Sequence, residues 1–194
     1  LNMMVSMVAY LNYRKAGVFP MQLFLSLILF SIPAAYLGGT ILLNATVYKK
    51  VLGFLLIFPV LKFGGVFPIS KDEQVERKWW MPPVLGILIG FVSGMIGIGG
   101  GIILTPIILM LGWAGVKETA ALSALFIFLN SVAGFVGAAT YEITVSQELW
   151  VLIPLTVLGG ALGAYLGAKR FSVKVLKYML AAVLLFASVK LILS

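Results

Sequence analysis

The chain contains neither cysteine nor histidine. The first absence removes disulfides and thiolate chemistry. The second removes histidine proton relays, histidine-ligated haem and the usual zinc sites. Acidic residues are scarce as well, with six Asp and Glu in 194 residues. None falls deep within an apolar run, so no intramembrane carboxylate presents itself as a proton carrier. An enzyme built on a nucleophile with its base, or on a metal, has little to work with here. The sequence predicts no catalytic residues, no metal ligands and no cofactor.

What the chain has in quantity is hydrocarbon. Hydrophobic residues make up 62% and charged residues 10%, and the mean hydropathy is +1.14. Soluble domains are about half apolar and a quarter charged. The composition therefore predicts an all-α, polytopic membrane protein whose first partner is the lipid bilayer. The net charge of +8 would suit nucleic acid. The basic residues, however, stand in short clusters between apolar runs, as the positive-inside rule places them, and nucleic acid is not an expected partner.

A window of about 20 residues places the spans at 1–12, 21–43, 46–63, 119–140, 147–168 and 173–193. The start, Leu1, is not methionine, and 1–12 has neither the basic region nor the cleavage site of a signal peptide. It reads as the tail of a helix in an N-terminally incomplete sequence. The linker 64–81 is polar, and its Trp79 and Trp80 suit the headgroup level. The chain also repeats itself. Leu1, Asn2 and Tyr13 recur as Leu129, Asn130 and Tyr141; "AAYLGG" (34–39) recurs as "GAYLGA" (163–168); Lys49, Phe58 and Lys62 recur as Lys177, Phe186 and Lys190. On this reading 1–63 is the later part of a first repeat and 82–194 a complete second one. The first copy's counterpart of 82–113 would precede Leu1.

The stretch 82–113 is apolar but too long. As one helix it would run about 48 Å, against a hydrocarbon core of about 30 Å. Within it lies "SGMIGIGGGIILTPIILM" (93–110), with Gly97, three consecutive glycines Gly99–Gly101, and Pro106. Such a run breaks a helix, and broken backbone survives in a membrane only where it faces protein or a polar cavity. Gly94 and Pro106 bound the predicted break. Beyond it, N–H groups around Gly100–Ile103, Ile102 among them, would point into the gap with the positive end of a helix dipole. That is the backbone anion site of discontinuous transporter helices. Close helix packing is the alternative use of glycine. It fits Gly86, Gly90 and Gly94, and Gly159, Gly163 and Gly167, at four-residue spacing; it fits a consecutive triplet less well. Ser123 and Asn130, with Ser131 beside them, lie on the face of 119–140 that would supply neutral donors. Asn2 is the first-repeat match of Asn130. Interhelical hydrogen bonding is the alternative role for these side chains. Thr105 is expected to re-satisfy backbone freed by Pro106.

With these residues in hand, the chain resembles the sulfite exporter TauE/SafE family, also called the toluene-sulfonate uptake permeases. The resemblance rests on Gly97, Gly99, Gly100, Gly101 and Pro106, followed by Ala120, Ser123, Asn130, Ser131 and Gly134, and it extends over essentially the whole chain. It implies a plasma-membrane carrier of sulfite, sulfonates or related small sulfur-containing anions. The family's glycine signature opens each of two repeats; here the first repeat lacks it, and Met3 stands where the motif has serine. A channel, or a structural membrane protein using its glycines for packing alone, is the competing reading. A homo-oligomer is possible. If 82–113 is a re-entrant hairpin the two repeats are inverted, and every basic residue except Lys49, Lys50 and Lys190 falls on one side. If it crosses the membrane, the basic residues divide evenly. The positive-inside rule favours inversion, with 64–81 cytoplasmic.

Overall fold

The computed structural model describes residues 2–14, 19–41, 76–97, 99–139 and 149–193. These residues form seven α-helices and no strands: α1 (Asn2–Arg14), α2 (Met21–Gly39), α3 (Met81–Ile96), α4 (Gly101–Leu111), α5 (Val116–Ala138), α6 (Leu149–Lys169) and α7 (Val173–Leu193). The predicted split of 82–113 is present. The predicted span at 46–63 and most of the linker 64–81 lie outside the described residues. Helix α2 stops four residues before the predicted 43, at Gly38 and Gly39. Helix α5 begins three residues before the predicted 119. There the Gly115 N–H donates to Glu118 Oε2 at 2.9 Å, and a carboxylate in the first turn also meets the positive end of the dipole. Among the described residues, α2, α5 and most of α6 are long and apolar enough to cross a membrane, whereas α3 and α4 are apolar but short.

Helices α2 and α3 pack along a seam of small residues. A Cβ added at Gly86 would strike the backbone oxygen of Leu27, one at Gly90 that of Ser31, and one at Gly94 that of Ala35. Both members of the seam advance together, so the two helices run parallel. Glycine lets the backbones approach because no side chain intervenes, which is how helices associate without a hydrophobic driving force. Helix α5 joins where they meet: a Cβ at Gly134 would lie 3.2 Å from Gly94 Cα, and one at Gly137 would strike the Tyr36 carbonyl. In α6 the contacts depart from the predicted stripe. Gly160 meets Val5 of α1 and Gly167 meets Tyr13, while no described residue lies within 4 Å of a Cβ at Gly159 or Gly163. Positions seven apart share a face, and α1 crosses α6 on the face of 160 and 167.

Helix α4 runs back against α5. Gly101 lies beside Ile127, and Thr105 lies beside Ser123. Its end brings Gly112–Gly115 next to Glu76 and Arg77, which precede α3; the two stretches line one pocket with Glu118. Between these helices Leu23, Leu27, Ile89, Leu104, Ile108, Leu122 and Phe126 form a buried core. At the same end of the bundle, Lys117 Nζ donates to the Ala168 carbonyl at 2.8 Å, and Tyr13 reaches Gly167. Arg14, Arg77, Lys78, Lys117, Lys169, Arg170, Lys174 and Lys177 therefore gather at one end, and Lys190 sits near the far end of α7.

Candidate functional site

The break between α3 and α4 is made by backbone that only glycine adopts readily. Helix α3 ends at Gly97, whose N–H closes on the Ser93 carbonyl with φ at 74°. Gly99 and Gly100 follow at φ 78° and 73°, and Gly100 caps the N-terminus of α4. For an L-residue this left-handed region costs about 1–2 kcal/mol. The break also packs closely. A Cβ at Gly99 would lie 2.6 Å from Ser131 Oγ and 2.9 Å from the Ile127 carbonyl, and one at Gly100 would lie 2.9 Å from Ile89 Cγ2 and 3.1 Å from Ser93 Cβ. Gly101 faces the end of the Ile127 side chain. Gly99, Gly100 and Gly101 are buried and Ile102 half-buried, while Gly97 is exposed, with no described residue within 4 Å of a Cβ there.

Two walls enclose the start of α4. Ser93 comes from the last turn of α3; Ser123, Phe126, Ile127 and Ser131 come from one side of α5. The hydroxyls of Ser93 and Ser131 are fully buried and have no hydrogen-bond partner. Buried hydroxyls are normally paired, and an unpaired one costs about 1–3 kcal/mol. Between them Gly101 and Ile102 open the first turn of α4, whose leading N–H groups have no acceptor within the helix. The Ile103 and Leu104 N–H groups are tied to the Gly100 carbonyl at 3.1 and 3.0 Å, so Ile103 is withdrawn from the set of free donors.

The other predicted residues have structural tasks in this arrangement. Ser31 Oγ donates to Asn130 Oδ1 at 2.7 Å, and Asn130 Nδ2 donates to the Phe126 carbonyl at 3.0 Å. The Asn130 amide thus ties α5 to α2. Thr105 Oγ1 donates to Ser123 Oγ at 2.8 Å; its hydroxyl faces α5 instead of restoring the backbone bond lost at Pro106. Pro106 is fully buried against the core. Gly94 serves the α2–α3 seam. Asn2 is exposed at the first turn of α1. Ser93 is the member that sequence reading missed. Its signal was a single hydroxyl one residue before Gly94 in an otherwise apolar run.

The hydropathy of the chain and the three membrane-length apolar helices among the described residues are those of an integral membrane protein. The chain belongs to the sulfite exporter TauE/SafE family, whose sequence profile matches residues 1–191. It is 32% identical, over 99% of its own length and 79% of the relative's, to the probable membrane transporter protein y4hK of Sinorhizobium fredii. It is 30% identical to the probable membrane transporter protein MJ0441 of Methanocaldococcus jannaschii, over 79% of this chain and 61% of the relative. A shorter match, 35% identical over 56% of this chain and 18% of the relative, joins it to the probable membrane transporter protein MamO of Magnetospirillum gryphiswaldense. No solved structure matches the chain.

Proposed function

We propose that the protein is a multi-pass plasma-membrane carrier of small anions, with sulfite, sulfonates or related sulfur oxyanions as substrates, and that the anion is held at the break between α3 and α4. The observation that carries this reading is the pair of buried, partnerless hydroxyls, Ser93 and Ser131, beside the glycine break that opens α4. The helix N-terminus beside them adds N–H groups without intrahelical acceptors and positive potential. Transporters with discontinuous helices bind anions in the same way near the midplane. The antiparallel return of α4 along α5 supports a re-entrant hairpin, and with it two inverted repeats. The name of the family supplies the sulfur anion.

The test is tracer flux in proteoliposomes. Sulfite or methanesulfonate flux should saturate and show counterflow, as a carrier does and a channel does not. Gly101→Ala should cut flux per folded molecule at least about tenfold, because its Cβ would displace the end of the Ile127 side chain at the start of α4, while its φ needs no left-handed conformation. Flux that does not saturate favours the channel. Wild-type flux in Gly101→Ala means that the glycines serve packing alone.

A further inference from the structure

The geometry points to a charge filter at this site: it takes singly charged anions and rejects doubly charged ones. This rests on the reading of the break as the anion site. Every donor described there is neutral. Ser93 and Ser131 each bring one hydroxyl hydrogen, and the first turn of α4, opened by Gly101 and Ile102, brings backbone hydrogens. The positive end of α4 adds the equivalent of about half an elementary charge.

Among the described residues, no full positive charge lies near. Helices α2, α3 and α4 contain no Asp, Glu, Lys or Arg. Helix α5 has only Lys117 and Glu118, in its first turn, about 20 Å along the axis from Ser131. Both are engaged at that end, Lys117 with the Ala168 carbonyl and Glu118 with the Gly115 N–H. Tyr36, the one phenol on these four helices, is exposed. Arg14 of α1 lies over the Tyr10 ring at 5.7 Å.

The cost of moving an ion out of water grows as the square of its charge, so a dianion costs about four times as much as a monoanion. Hydrogen bonds and half a charge go far toward compensating one negative charge. They leave most of a second uncompensated. For sulfite, whose second proton dissociates near neutral pH, the species bound is the hydrogen sulfite monoanion. A sulfonate carries one charge at all physiological pH values and always qualifies. Sulfate never does. The pH profile of transport then follows the substrate's ionisation, since no titratable group among the described residues faces the break.

The experiment is competition against labelled methanesulfonate flux in proteoliposomes, with protein-free liposomes measured beside them. Methanesulfonate flux itself should change less than about twofold between pH 6 and 8. Sulfite, at fixed total concentration, should compete at least about fivefold better at pH 6 than at pH 8, in line with its monoanion fraction. Sulfate in about hundredfold excess should leave flux unchanged. Ser93→Ala and Ser131→Ala should each raise the half-saturating methanesulfonate concentration about tenfold, the worth of a hydrogen bond to a charged group. Sulfate competing as well as methanesulfonate, or sulfite competing equally at both pH values, overturns the charge filter and leaves the anion site standing. Unchanged half-saturation in both serine variants places the anion elsewhere and overturns the site and the filter together. Absence of saturable flux of either anion does the same.

Discussion

At the residue scale, Asn130 separates two uses of a polar side chain in a membrane. Its amide accepts from Ser31 on one side and donates to the Phe126 carbonyl on the other, so its worth is expected in stability. Interhelical hydrogen bonds in membranes contribute about 0.6 kcal/mol on average and up to about 1.7. A cycle of Ser31→Ala, Asn130→Ala and the double variant should therefore give a coupling of about 0.5–1.5 kcal/mol in thermal unfolding. Flux per folded Asn130→Ala molecule should fall less than in Ser131→Ala. A coupling near zero, or a larger flux defect at Asn130, returns that residue to the anion site. The glycines and Ser131 were legible in the sequence because a consecutive triplet has no helical use and the serine follows on a recognisable face. The Ser31–Asn130 pair was not legible, because its members are 99 residues apart and only the rotation of α2 against α5 joins them. Ser93 was hidden for the same reason: its place depends on how closely Gly100 approaches α3.

At the scale of elements, helix positions were written plainly in hydropathy, and the glycine run divided 82–113 where the structure divides it. Partners were less plain. Two stripes of glycine at four-residue spacing look alike in sequence, yet Gly86, Gly90 and Gly94 meet backbone oxygens of α2 while Gly159 and Gly163 meet no described residue. The difference lies in which neighbour crosses which face, and spacing alone carries no information about the neighbour. It has an energetic consequence. Gly90→Ala would press its methyl into Ser31 backbone that has nowhere to go, and should destabilise by about 1–3 kcal/mol. Gly159→Ala should be neutral, or stabilising by up to about 1 kcal/mol, because alanine is the better helix former. Thermal unfolding of both variants in one detergent decides the matter. Equal losses would show that Gly159 is as closely packed as Gly90.

At the scale of the whole molecule, the contacts fix helix directions that hydropathy leaves open. Helices α2 and α3 run parallel, α4 returns along α5, and the pocket lined by Glu76, Arg77 and Gly112–Gly115 joins the start of the broken pair to its end. Lys117 on the Ala168 carbonyl brings the end of α6 to the same level. One end of the bundle thus collects Arg14, Arg77, Lys78, Lys117 and the run Lys169–Lys177, whereas the described part of the other end has Lys190. The K/R bias of short loops sets orientation in a membrane, so the basic end should face the cytoplasm. Because the native chain has no cysteine, single introduced cysteines report without background. Ser172→Cys lies in the exposed turn between α6 and α7 at the basic end, and Ile41→Cys lies just past α2 at the opposite end. In intact cells a membrane-impermeant maleimide should label Ile41→Cys, and should reach Ser172→Cys only after the membrane is opened. Labelling of both from outside would mean that α2 and α6 do not end on opposite faces of the bilayer. A re-entrant α3–α4 pair would then be excluded as the element that inverts the second repeat.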